Sequence, residues 1–121
     1  MTNEARFTTG AIDGISVIAV FGEVDLSNVG ELKHCLETAA EARAQGIVVD
    51  LTKAEYFDSR TIALLADFAQ NARTRRQRVA LVAPSGGFAP RILDIAGLPR
   101  VIPTFETTDE AVASVKSPAT A

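Results

Sequence analysis

The chain has 121 residues, 47% hydrophobic and 22% charged, a length and balance that give one globular domain with a packed core and exclude a disordered or fibrous chain. A net charge of −3 and a pI near 5.1 exclude any general attraction to nucleic acid or anionic membrane. Cys35 is the only cysteine, so no intrachain disulfide forms; with no basic-apolar leader and no apolar run of spanning length, a soluble cytoplasmic protein is expected.

The first stretch, RFTTGAIDGISVIAVFGEVD, holds the turn pair Asp13-Gly14 between two β-prone runs and predicts a hairpin, with Gly22 as a break. The next, LSNVGELKHCLETAAEARAQG, predicts an amphipathic helix capped by Ser27 and stopped at Gly46, its apolar face built from Val29, Leu32, Leu36, Ala39 and Ala40. IVVDL is continuous and β-branched, as in a strand buried on both faces, and TKAEYF after it reads as a loop ending in two buried aromatics. Ile62, Leu64, Leu65, Ala66, Phe68 and Ala69 give a broad apolar face to a helix from about Ser59 to about Thr74.

RVALVA is the next inner strand, closed by Pro84. A Gly-rich loop, a short helix ending at Gly97 and an extended stretch around Val101 to Phe105 follow. TDEAVASVK predicts a last helix capped by Thr108 or Asp109, and the SPATA tail is expected to fray, leaving about 5–116 ordered in a single domain spanning 1–121. The element order predicts an α/β fold: an N-terminal β-hairpin, then alternating strands and helices, with a mixed sheet and helices mainly on one face.

Most catalytic chemistry lacks its residues. The only histidine, His34, is adjacent to Cys35 in a helical segment, where consecutive side chains diverge, so neither a nucleophile–base pair nor a metal cage is expected. PSGGFAPR lacks the Lys-Ser/Thr ending of a phosphate-cradling loop, and no dinucleotide fingerprint follows a strand. The acid pairs Glu23/Asp25 and Glu55/Asp58 are of a kind common in loops. No enzyme activity, cofactor or metal is expected. The cluster RTRRQR, 73–78, lies at a helix C-terminus, where the dipole favours solvated cations; a docking patch for an acidic partner is the less favoured reading.

Asp58 and Ser59 stand where a strand hands over to a helix. Either caps the helix, and a phosphate on Ser59 would be stabilised by the free amides and positive dipole end there.

GEVD at 22–25, VVDL at 48–51, FDSRTIALL at 57–65 and ILDIAGL at 92–98 appear in this order over nearly the whole chain. The set resembles a STAS domain of the bacterial anti-sigma-factor antagonist family. The resemblance implies a partner-switching protein: unphosphorylated, it binds an anti-sigma factor, often a serine kinase of the histidine-kinase-like ATPase type, and so releases a sigma factor in a stress response. It also implies that the phosphoacceptor is Ser59, the serine after the Asp of a D-S-[ST]-G motif, with Asp25 beside it. Arg60 and Thr61 replace the family's small hydroxyl residue and glycine; Arg60 adds a charge that would pair with a phosphate, with Asp58 or with an acidic partner.

The expected partner surface is Asp25, Asp58, Ser59, Arg60 and Thr61, with Thr61 a second possible acceptor. Three other readings share this fold: a non-phosphorylated subunit of a membrane lipid-transport complex, an antagonist controlled by the redox state of Cys35, and a small-molecule binder. Nucleic acid and direct membrane insertion are not expected.

Overall fold

The computed structural model describes residues 5–116, and the expectation for the SPATA tail lies outside the described residues. β1 (Arg6–Ile12) and β2 (Ile15–Val24) form an antiparallel hairpin. Asp13 and Gly14 close it with φ of 52° and 81°, the left-handed pair that matches the twist of two strands joined by a two-residue turn. Then come α1 (Val29–Glu41), β3 (Gly46–Phe57), α2 (Ser59–Thr74), β4 (Arg78–Val82), α3 (Phe88–Ala96), a 3-10 turn (Leu98–Arg100), β5 (Thr104–Phe105) and α4 (Thr108–Lys116).

Spatial order in the sheet follows chain order, β1-β2-β3-β4-β5, with β1 antiparallel and the other four strands parallel. Every crossover after β2 therefore steps in the same direction, and right-handed crossovers then put α1, α2 and α3 on one face. Leu32 and Leu36 of α1, Leu65 and Phe68 of α2 and Leu93 of α3 pack there on Ile47, Val49 and Leu51 of β3. The opposite face is covered by α4, whose Ala111, Val112 and Val115 meet Ile15, Val48 and Ala80. β3 thus feeds alternate residues into two cores, which is why Ile47, Val48 and Val49 are apolar in succession before Asp50.

Several boundaries differ from the sequence expectation. TKAEYF is not a loop but the second half of β3, paired with β2 as far as Val24 opposite Phe57. Two register shifts, between Ala19 and Phe21 and between Gly22 and Glu23, each give β3 one extra residue, so Gly22 (φ 81°) marks a bulge and not a break. Of the two aromatics, Phe57 is buried and Tyr56 is exposed.

α1 starts after Asn28 and not Ser27, whose hydroxyl is taken by Asp25, and it ends at Glu41. Arg43, at φ 60°, makes the reversal expected at Gly46. Gly46 opens β3, where a Cβ would lie 2.7 Å from Val115 Cβ, so packing against α4 requires glycine there. Thr107, not Thr108 or Asp109, caps α4: its Oγ1 accepts from Glu110 N at 3.1 Å while Glu110 Oε1 accepts from Thr107 N at 3.3 Å.

The 73–78 cluster is also more engaged than a solvated run. Arg73 of α2 donates to Val101 O, buried Gln77 in the turn after α2 donates to Ala40 O and Ala44 O, and Arg78 of β4 donates to Ser114 O of α4.

Candidate functional site

In an open parallel sheet the loops beyond the carboxyl ends of the strands converge on one edge. Here that edge carries Asp25 after β2 and Asp58 after β3. Because Val24 pairs with Phe57, the two acids leave the sheet from neighbouring positions.

The loop 25–28 is fixed by its own side chains. Asp25 Oδ1 accepts from Ser27 N at 2.9 Å and Ser27 Oγ at 2.6 Å. Asn28 Oδ1 accepts from Asp25 N at 3.0 Å, and Asn28 Nδ2 donates to Glu23 O at 3.0 Å. The Ser27 hydroxyl and amide, donating to the charged carboxylate, hold the Asp25 pKa below the ordinary aspartate value. A depressed carboxylate pKa gives an ordering contribution that is present above the unfolded value of about 3.9 and is lost as pH falls through the folded one. An NMR titration of the Asp25 carboxyl carbon should show a midpoint below the normal aspartate range. Ser27→Ala should raise it; a midpoint unmoved by that change would remove Ser27 as the cause.

Asp58 caps α2. Its extended backbone (φ −111°, ψ −170°) leads into the helix, and Oδ1 accepts from Arg60 N at 3.0 Å. Arg60 folds back on the same carboxylate, Nη1 to Oδ2 at 2.7 Å. Ser59 is exposed at the first helical position, directly after the Asp58 cap. Asp25, Asp58, Ser59 and Arg60 therefore share one accessible edge. Thr61 does not: it is 1% exposed, with Oγ1 enclosed and unpartnered. Burial corrects the expectation of Thr61 as a surface contact and second acceptor. Its position four residues before Leu65 on the stripe Thr61, Leu65, Phe68, Ala69, Ala72 is the sequence signal that shows it.

Two features of this edge were missed. Leu26, beside Asp25, is 68% exposed, an apolar side chain offered to solvent in the middle of a charged loop. Ser85, in the PSGGFAPR loop, donates N and Oγ to Glu106 Oε1 and Oε2 at 3.0 and 2.7 Å, linking the loops after β4 and β5 and lowering the Glu106 pKa. No spacing rule connects residues 21 apart in the chain. Cys35 lies half-buried on α1, where burial first and Glu31 second raise its thiol pKa; both disfavour the reactive thiolate. Among the described residues no three potential ligands gather as a metal site, and no helix is long and apolar enough to cross a membrane.

The sequence matches the STAS domain over residues 6–111. The chain belongs to the STAS family. Over 109 residues, 88% of this STAS protein and 73% of the other, it is 34% identical to Rv2638 of Mycobacterium tuberculosis, designated an anti-anti-sigma factor. It is 28% identical over 116 residues to the anti-sigma-F factor antagonist RsfA of the same species, covering 94% of this chain and 90% of that one. The crystal structure of an anti-sigma factor antagonist from Mycobacterium paratuberculosis superposes with a TM-score of 0.85 at 23% identity, covering 94% and 96% of the two chains.

Proposed function

We propose that this STAS protein is an anti-sigma factor antagonist: it binds an anti-sigma factor through the edge formed by Asp25, Leu26, Asp58, Ser59 and Arg60, and so releases a sigma factor. The observation that carries the reading is the placement of Ser59, an exposed hydroxyl on the first turn of α2 beside the Asp25 loop. The names of its relatives support it. The protein acts by binding, in the cytoplasm where a sigma factor is used, and its partner is a serine kinase of the histidine-kinase-like ATPase type.

Ser59 is the switch. The phosphate it would carry brings close to two negative charges to a site that already holds Asp25 and Asp58. Arg60 is poised to exchange Asp58 for that phosphate, as a guanidinium bonds either anion through paired N–H groups. The added charge removes the partner by repulsion and by the cost of desolvating it.

Titration calorimetry of the full chain against the host's anti-sigma factors tests the reading, and one of them should bind. Leu26→Asp, at an exposed position, should leave the far-UV circular dichroism unchanged and weaken that complex about tenfold, because it puts a carboxylate where an apolar contact is buried. Equal affinity would place the interface elsewhere.

A further inference from the structure

β1 is the open long edge of the sheet. It has seven residues, and all except half-buried Phe7 are exposed. Ile12 and Ile15 flank the two-residue turn as a hydrogen-bonded pair, so by the alternation of an antiparallel ladder Arg6, Thr8, Gly10 and Ile12 bond to β2. Phe7, Thr9 and Ala11 then turn their N–H and C=O away from β2, and among the described residues no strand lies on that side. Natural edge strands are blunted by proline, lysine, an inward charge or a bulge. β1 has no proline, no lysine and no register shift, and its one charge is Arg6 at its first position.

Beside that edge, between the hairpin and α1, runs a groove of about 510 Å³ lined by Thr9, Ala11, Ser16, Cys35, Thr38 and Ala42, with His34 at its border. Among the described residues no aspartate, glutamate, lysine or arginine lines it. An unpaired strand edge with an uncharged strip along it is a surface for another strand, and β1 complements itself. Antiparallel pairing of two copies centred on Thr9 is the register in which all three outward residues meet outward residues, Thr9 with Thr9 and Phe7 with Ala11 in both directions. A ring then opposes a methyl group on the α1 face, so the pairs fit in size. On the other face Arg6 lies opposite Ile12, one residue from Asp13. Asp13 Oδ2 already meets Lys116 Nζ at 3.2 Å, and a carboxylate with two oxygens takes a second cation.

We propose that β1 is the interface of a homodimer, in which two copies pair their β1 edges antiparallel about a two-fold axis through Thr9 and join two five-stranded sheets into one. The axis stands perpendicular to the sheet, so both α1 helices stay on the same face and their grooves meet across the new pair. The pairing also points the carboxyl ends of β2 and β3 in opposite directions in the two copies. The two Ser59 edges therefore lie at opposite ends of the dimer, and on the antagonist reading one dimer presents two anti-sigma sites; the dimer itself does not depend on that reading.

Sedimentation equilibrium of the full chain, with amide hydrogen exchange followed by NMR, tests it. The mass should rise with concentration from 12.8 kDa toward twice that value, and exchange at Phe7, Thr9 and Ala11 should slow in step. Thr9→Pro removes an outward N–H at an edge position where the β2 ladder loses nothing, and should leave the chain folded and monomeric. Thr9→Lys keeps that N–H but sets two like charges opposite each other at the axis, and should raise the dimer dissociation constant about fivefold or more. A chain that stays monomeric at every concentration, or a dimer indifferent to both substitutions, would overturn the proposal. So would protection at Phe7, Thr9 and Ala11 that does not change with concentration, because another segment of the same chain would then cover the edge.

Discussion

Phe57→Ala should lower the unfolding free energy by about 3–5 kcal/mol, the usual cost of emptying a buried aromatic site. Phe57 is 2% exposed and ends β3, with its ring edge-on to Phe88 of α3 at 5.1 Å and 81°. Such a contact adds to area burial because the positive ring edge meets the negative face. Phe88 is the first residue of α3, with its ring centroid also 5.9 Å from that of Tyr56, so truncation at 57 removes one of the two aromatic contacts of that helix end. For a protein whose total stability is of the order of 5–15 kcal/mol, this is a large share. Urea unfolding followed by circular dichroism should show a lower midpoint at unchanged slope. A loss under about 1 kcal/mol would mean that Phe88 swings into the space.

Ser59→Glu should weaken the anti-sigma complex at least about thirtyfold, equivalent to about 2 kcal/mol, because it places a charge on the proposed partner edge, which already holds the carboxylates of Asp25 and Asp58. Fold stability should barely change. The position is exposed, and an acid in the first turn of a helix is favoured by the dipole. Calorimetry of the complex and thermal unfolding of the free variant separate the two effects. Ser59→Ala, which removes the hydroxyl without adding charge, should bind within a few-fold of the parent. Equal weakening by Ala and Glu would make Ser59 a direct contact and not a switch.

The parts of this molecule set by local chemistry were legible in the sequence. α2 has the expected ends, Ser59 and Thr74, because Asp58 caps it and its apolar stripe is long. The Asp13-Gly14 turn is a two-residue signal and forms as read. What was hidden depends on neighbours distant in the chain. TKAEYF carries charges at Lys53 and Glu55 and loses strict alternation, because two extra residues on β3 shift its faces against β2; only the pairing reveals a strand. Gly46 looks like a helix stop until Val115 is seen against it.

The candidate site divides in the same way. Asp58 and Ser59 are visible as a cap and its neighbour, and the bond between Arg60 and Asp58 spans two residues. Leu26 gives no periodic signal, and the link from Ser85 to Glu106 needs the sheet to bring the loops after β4 and β5 together.

The most direct measurement is the intact mass of the wild-type protein and of Ser59→Ala after incubation with ATP and the anti-sigma factor that binds it. The account predicts a single added phosphate on the wild type, none on Ser59→Ala, and loss of the complex as the phosphate accumulates. A phosphate retained on Ser59→Ala, or a phosphorylated protein that still binds with unchanged affinity, would contradict it.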